Sequence, residues 1–177
     1  LKLLNHQKNL GCKQAVSAGI DWFFDNEIQG IILEDDCMPS TSFFTFCDDL
    51  LEHYADDERV KMITGNNFQN GDQIGADSYY FSRYPHIWGW ATWRRAWEAY
   101  DGELTFWPDW SASSEWKNLF ESSIERLYWE EIFHKAYQGA IDSWAYPWTA
   151  SVWYTGGLVA TPNRNLVSNL GFRDDAT

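Results

Sequence analysis

Apolar positions in the first third of the chain alternate between helical spacing and short continuous runs. From about Asn9 to Asn26 they return every three or four residues, on a face that carries Cys12, Val16, Ile20 and Phe23. Ile31 to Leu33 is a short apolar run, typical of a strand buried on both faces. Ser40 or Thr41 then begins a second helix, and Arg59 to Thr64 is predicted to be a strand. This order predicts an α/β fold, in which helices cover a sheet.

The pattern is less regular in the rest of the chain. It predicts five segments: a loop over Asn70–Asp77, a strand over Tyr79–Phe81, a helix capped by Thr92, a longer helix from Ser113 or Ser114 to Gly139, and mixed strand and loop over Ala140–Thr177. No repeat or low-complexity linker divides them. A single domain over residues 1–177 is therefore expected.

Composition adds an excess of tryptophan and of negative charge. The chain has 177 residues, of which 45% are hydrophobic and 12 are Trp. A core of this size rarely needs so many Trp side chains, so we expect some of them to line a groove that suits sugar rings. The net charge of −13 disfavours nucleic acid and anionic membrane surfaces as partners.

The cysteines and the hydropathy bear on the cellular compartment. Cys12, Cys37 and Cys47 have no metal-ligand spacing, and their odd number argues against a disulfide framework. No run approaches the ~18 apolar residues of a transmembrane helix. Together these features favour a cytoplasmic protein without a transmembrane segment.

Three consecutive carboxylates form the best candidate site. Glu34, Asp35 and Asp36 follow the apolar run, and the carboxyl ends of strands are where open α/β sheets bind ligands. Crowded carboxylates repel one another, and Mg²⁺ or Mn²⁺ would relieve that repulsion. The alternative is a solvated acidic turn that leads into a helix N-terminus.

Two weaker candidates lie further along. Asp142, among aromatic residues, is either a general base or an acceptor of backbone hydrogen bonds, and Asp109 is a rival with the same ambiguity. Trp88, Gly89 and Trp90 either enclose a sugar ring or belong to the core.

Four segments, in this order, resemble a known family of enzymes. Gly30 to Pro39 is similar to the acidic metal-binding motif of GT-A nucleotide-diphospho-sugar transferases, including the transferase of N-acetylglucosamine that initiates complex N-glycans. The other three segments resemble the bacterial haemolytic-protein-like glycosyltransferases: Asn9–Lys13, Trp88–Trp93 and Asn165–Phe172.

The resemblance implies a GT-A-like, Rossmann-like mixed sheet flanked by helices, and a role for each candidate. By this resemblance Asp36 binds the divalent cation (Mn²⁺ or Mg²⁺), while Asp35 contacts the donor's ribose or sugar with the support of Glu34. Asp142 is then the base that deprotonates an acceptor hydroxyl. The donor and acceptor pocket is implied to include Trp88, Gly89, Trp90 and Trp144.

The reaction implied is an inverting transfer from a nucleotide-diphosphate sugar, such as UDP-GlcNAc, to a hydroxyl of a glycan or other acceptor. It would serve the synthesis of surface polysaccharide or glycoconjugates. By the same resemblance we expect a glycosyltransferase domain truncated at both ends, which lacks the family's N-terminal strand and a His beyond Thr177.

Two other functional classes stay open. A non-catalytic carbohydrate-binding domain fits the Trp content and would need no metal. A metal-dependent phosphohydrolase would use Glu34, Asp35 and Asp36, but that chemistry draws on further Asp or His ligands, and the four His residues are scattered.

Overall fold

The computed structural model describes residues 2–171, in two compact units. The first unit comprises Leu1–Phe23 and Tyr100–Thr155, and the second comprises Phe24–Ala99 and Gly156–Thr177. The protein is α/β and has a mixed sheet with helices packed on it, as the sequence predicts at this level. No helix in the described part of the chain is both long and apolar enough to cross a membrane.

Seven helices and seven strands are found in residues 2–171. The helices are α1 (Gly11–Phe24), α2 (Thr41–His53), α3 (Arg94–Trp97), α4 (Trp107–Ala112), α5 (Ser114–Asn118), α6 (Ser123–Tyr137) and α7 (Ala145–Tyr154). The strands are β1 (Gln29–Ile32), β2 (Cys37–Pro39), β3 (Val60–Thr64), β4 (Tyr79–Ser82), β5 (Trp90–Trp93), β6 (Leu158–Pro162) and β7 (Val167–Asn169).

The second unit is built on a five-stranded sheet with the order β1-β5-β3-β6-β4. β3 and β6 are parallel, whereas β5 is antiparallel to both β1 and β3, and β4 is antiparallel to β6. A separate ribbon pairs β2 with β7. Helix α2 packs on β1, β3 and β5 through its apolar face, which buries Phe43, Cys47, Leu50 and Leu51.

The first unit is helical and has an aromatic core. The ring of Trp116 is fully buried, with centroids 4.9 Å from Trp107, 4.8 Å from Trp110 and 5.0 Å from Phe120. Over the whole chain nine of the 12 Trp side chains are buried, so packing accounts for most of the excess. The expectation of a Trp-lined groove is thereby restricted to the three half-buried rings of Trp22, Trp88 and Trp129.

Three sequence-based predictions of secondary structure are wrong. Thr92 does not cap a helix: it lies buried in β5, and its hydroxyl donates to the carbonyl of Lys61, 2.6 Å away. The long helix is two helices, because the hydroxyl of Ser122 accepts the backbone N–H of Glu125 and starts α6 anew. The region after Ala140 contains α7, whose residues Pro147–Trp153 are all buried and so show no helical alternation of apolar and polar positions.

The strand before the acidic residues also differs from the prediction. β1 covers Gln29–Ile32, is the edge strand of its sheet, and is half-buried along its length. Leu33, expected in the strand, lies beyond it and is exposed. The apolar run therefore belongs to an edge strand, where one side of the backbone has no neighbouring strand in this sheet.

Candidate functional site

Strand directions bring several polar segments to one end of the sheet in the second unit. Because β5 is antiparallel to both β1 and β3, and β3 is parallel to β6, the strands β1, β3 and β6 all run in the same direction. Their carboxyl ends lead into three segments: Glu34–Asp36, Gly65–Asn67 and Asn163–Asn165. We call this the polar end of the sheet, and β5 starts there, just after Trp88 and Gly89.

Two glycines allow these segments to approach closely. The N–H of Gly65 donates to the carbonyl of Gly89 at 2.8 Å, and the N–H of Leu166 donates to the carbonyl of Gly65 at 2.8 Å. A Cβ at Gly65 would lie 2.6 Å from Cγ2 of Val167 and 2.8 Å from the carbonyl oxygen of Gly89. Gly89 itself has a φ of 70°, a conformation that side-chain-bearing residues rarely adopt. Both positions therefore require glycine.

The acidic residues form a turn between β1 and β2. The N–H of Cys37 donates to the carbonyl of Glu34 at 3.1 Å, and the N–H of Leu170 donates to the carbonyl of Asp36 at 2.8 Å. Asn169 Nδ2 donates to Asp36 Oδ2 at 3.2 Å, so the ribbon of β2 and β7 orients this carboxylate. A Cβ at Gly171 would lie 2.6 Å from the same oxygen, so a larger residue there would displace Asp36.

The charge of this turn is poorly compensated. Glu34 and Asp36 are half-buried, whereas Asp35 is exposed. Partial burial raises the pKa of Glu34, and the negative charges of Asp36 and Asp35 raise it further. The turn therefore holds three like charges at the point where β1 ends, and a cation would relieve their repulsion.

The residues present fit a hard divalent cation held in part by other ligands. Among residues 2–171 no three His, Cys, Asp or Glu side chains converge so as to hold a metal ion by themselves. Mg²⁺ in nucleotide sites, however, is typically bound by one or two carboxylates and completed by phosphate oxygens and water. Glu34, Asp35 and Asp36 offer carboxylate oxygens, which suit Mg²⁺ or Mn²⁺ better than softer metals. The thiol of Cys37 donates to Asp36 Oδ1 at 3.5 Å, and burial raises its pKa to about 11, so it is a poor ligand at neutral pH.

An aromatic group adjoins Gly89 at the same end of the sheet. The ring of Trp88 lies 5.2 Å from that of Phe68, and the ring of His86 lies 4.8 Å from Phe68 on centroids. Phe68 is 57% exposed. Burial lowers the pKa of His86 to about 4. Sequence reasoning missed Phe68, because it belongs to no motif and only the fold brings it beside Trp88, and it gave His86 no role although His86 lies two positions before Trp88.

Two of the predicted pocket residues lie in the core. The ring of Trp90 is completely buried in β5, and that of Trp144 is 1% exposed, at the N-cap of α7 in the first unit. As folded, neither ring has a surface to offer a sugar. The alternative reading, packed core aromatics, therefore applies to these two residues, and Trp88 is the one predicted tryptophan with an accessible edge at the polar end of the sheet.

Asp142 lies in the first unit and caps α1. Its Oδ2 accepts the backbone N–H of Cys12 and its Oδ1 that of Lys13, both at 2.9 Å. A Cβ on Gly11 would lie 2.5 Å from Oδ2, which accounts for glycine at that position. The hydrogen bonds from Lys13 and then Cys12 hold the pKa of Asp142 below its usual range. Asp142 is therefore an acceptor of backbone hydrogen bonds, the second of the two roles that the sequence left open. The lowered pKa makes its carboxylate a weaker base.

Two arginines of α3, Arg94 and Arg95, serve the scaffold. Arg95 donates to the carbonyls of Tyr54, Ala55 and Val60 at 2.7–3.0 Å and lies over the ring of Trp93. Arg94 donates to the carbonyl of Glu27. These two arginines use their guanidinium groups to bind backbone carbonyls next to α2, β1 and β3, which stabilises the fold.

Comparison with models of protein families finds no match to this chain. Comparison with curated protein sequences also finds none.

Proposed function

We propose that the protein is a metal-dependent glycosyltransferase with a GT-A-like arrangement, and that its acidic turn binds the diphosphate of a nucleotide-sugar donor. One observation carries the proposal: Glu34, Asp35 and Asp36 crowd at the carboxyl end of β1, where partial burial and then the charges of Asp36 and Asp35 raise the pKa of Glu34. Open α/β sheets bind ligands at this end of the strands. The resemblance of the four sequence segments supports the same assignment.

The roles follow from exposure and contacts. Asp36, oriented by Asn169, would hold the cation, and exposed Asp35 would accept hydrogen bonds from the donor's ribose or sugar. Trp88 and Phe68 would offer apolar faces to the donor. When bound, the cation would neutralise charge on the leaving nucleoside diphosphate. The protein's part is to position the donor and to orient Asp36.

The base for the acceptor hydroxyl is the least supported role. The family resemblance assigns it to Asp142, whereas the capping hydrogen bonds of Asp142 favour a structural role. Asp142→Asn separates the two, because Asn keeps one of the two acceptor oxygens of the cap but cannot take up the proton, and thermal unfolding of the variant measures what the cap loses. A stable variant with greatly reduced turnover would assign the base to Asp142, and unchanged turnover would restrict it to capping.

Calorimetry with UDP-GlcNAc and a panel of other nucleotide sugars, with and without Mn²⁺, tests the proposal. We expect binding of at least one donor to require Mn²⁺ and to be lost in Asp36→Ala. Asp48→Ala is the matched control, because Asp48 is an exposed aspartate on α2 of the same unit. Metal-independent binding of glycans, with no binding of any nucleotide sugar, would contradict the proposal and favour a carbohydrate-binding domain.

A further inference from the structure

A cavity in the second unit lies beside β6 and the start of α2. Its volume is about 450 Å³, within the range of small-molecule sites. Phe46, Pro162 and Leu166 give it an apolar wall. None of these three residues belongs to the acidic turn or to the aromatic group around Trp88, so the proposed donor site does not account for the cavity.

Most of the other residues that line the cavity are polar, and together they carry no net charge. Ser42, Gln73 and Ser78 contribute neutral hydrogen-bonding groups, while Asp77 and Arg164 contribute one charge of each sign. Within residues 2–171 the side chains of Gln73, Asp77 and Arg164 make no hydrogen bond or ion pair with the protein. Their donors and acceptors are therefore available to a ligand in exchange for water.

A buried asparagine fixes the shape of this polar part of the cavity. The Oδ1 of Asn163 accepts the N–H of Ile74 at 2.8 Å, and its Nδ2 donates to the carbonyls of Ile74 and Asp77 at 2.9 and 2.8 Å. The N–H of Asn163 also donates to the carbonyl of Ser78 at 2.9 Å. The loop that carries Gln73, Asp77 and Ser78 is thus held in place before any ligand arrives, which lowers the entropic cost of binding.

From these features we propose that the cavity is a binding site for a neutral saccharide. A sugar ring has an apolar face for Phe46 and Leu166, and its hydroxyls both donate and accept, as the mixed polar lining requires. An anion would face Asp77, and an acyl chain would leave the side chains of Gln73, Asp77 and Arg164 without partners. Saccharide binding at this cavity requires neither a cation nor a nucleotide, so it does not depend on the proposed function. The assignment of the sugar as part of an acceptor glycan does rest on the proposed function.

The test is a ¹⁵N–¹H NMR titration with four neutral disaccharides: maltose, lactose, cellobiose and N,N′-diacetylchitobiose. We expect at least one, at millimolar concentration, to shift the amide signals of residues 73–78 and 164–166, and to do so equally in EDTA. The double variant Gln73→Ala, Arg164→Ala should weaken that binding by about tenfold or more. Arg59→Ala is the matched control, because Arg59 is an exposed arginine that precedes β3, at the opposite end of the sheet.

Because both replaced side chains are exposed, the spectrum of the double variant also verifies that it folds. The proposal fails if no disaccharide shifts these signals, if inorganic phosphate shifts them instead, or if the double variant binds like the wild type. A response that disappears in EDTA would assign the sugar to the metal-dependent donor site and overturn a separate saccharide site. Absence of donor binding, with the EDTA-resistant response intact, would reject the transferase alone.

Discussion

Two acidic sites in this protein have opposite surroundings. In the first unit, Asp142 accepts two backbone N–H groups at the start of α1, and these hydrogen bonds lower its pKa. In the second unit, Glu34 shares a turn with Asp35 and Asp36, and burial with like charges raises its pKa. Asp142 is already stabilised by the protein, whereas the turn stores repulsion that an external cation can relieve. A carboxylate among aromatic residues in the sequence can therefore be a helix cap. Its hydrogen-bond partners in the fold distinguish such a cap from a carboxylate that is available to a cation or a substrate.

The largest expected effect is on donor binding, and it should separate the two sites completely. Asp36→Asn removes a charge from the turn and should weaken Mn²⁺-dependent donor affinity about 100-fold or more, as loss of a metal ligand does. Asp142→Asn should leave that affinity unchanged, because the Asp142 carboxylate is bonded to backbone N–H groups of α1 and is not part of the acidic turn. The measurement is the dissociation constant by calorimetry. Equal losses in the two variants would break the distinction between the sites.

The next effect is on the pH dependence of the free energy of unfolding, through the burial of His86 at the polar end of the sheet. Burial holds the pKa of His86 at about 4, below its ordinary 6.5, so the folded state favours the neutral ring. The associated stability is complete above pH 6.5 and is lost as the pH falls towards 4. Between pH 7 and pH 5 the loss should be about 2 kcal/mol in the free energy of unfolding.

Denaturant unfolding of His86→Gln at both pH values measures this contribution. The variant should lose less stability on acidification than the wild type, whereas His53→Gln, at an exposed position on α2, should behave as the wild type does. An equal pH dependence in all three proteins would show that the polar end of the sheet does not disfavour charge on His86.

A smaller effect is expected when the cap of α1 is removed. Asp142→Ala leaves the N–H groups of Cys12 and Lys13 to water and should lower the melting temperature by about 2–4 °C. Asp109→Ala, at an exposed position in α4, is the control for losing an aspartate in the same unit. Scanning calorimetry at neutral pH, without metal, gives both values. Equal melting temperatures for the two variants would contradict a capping role for Asp142.

The smallest effect has the opposite sign. Because the pKa of Glu34 is raised on folding, its contribution to stability is present at low pH and is lost as the pH rises through the folded value. Glu34→Gln should therefore melt about 1–2 °C higher than the wild type at neutral pH and low salt, with screening reducing the gain. At acidic pH the two should converge. A lower melting temperature at neutral pH would mean that the charge of Glu34 is already compensated.

The two acidic sites also differ in how well they could be predicted from the sequence. The turn at Glu34 was predictable because it depends on local order: an apolar run, then three acids. The cap of α1 was not, since Lys13 and Asp142 are 129 positions apart, and no pattern along the chain connects them. Helix α7 was missed because burial on all sides removes its periodicity. The resemblance assigned Trp90 and Trp144 to a pocket, and no pattern along the chain shows that their rings are buried.

The site itself was predicted only in part. Glu34, Asp35, Asp36, Trp88 and Gly89 do lie at one end of one sheet, as strand order and direction require. Phe68 and Asn169 reach that end through the tertiary fold, where a ribbon and two glycines bring loops distant in sequence into contact. Asn169 lies in a segment that carries the resemblance, but only its contact with Asp36 gives its side chain a role. Phe68 and His86 became candidates through the contact of their rings.

Paramagnetic broadening by Mn²⁺ in a ¹⁵N–¹H spectrum tests the central claim most directly, because it locates the cation without assuming a donor. At substoichiometric Mn²⁺ we predict selective loss of the amide signals of Asp35, Asp36 and Cys37, together with Asn169 to Gly171, and their recovery in Asp36→Asn. Signals of Cys12 and Lys13, beside Asp142, should persist. Broadening centred on Cys12 and Lys13, or spread evenly over the acidic surface, would contradict a metal-binding turn.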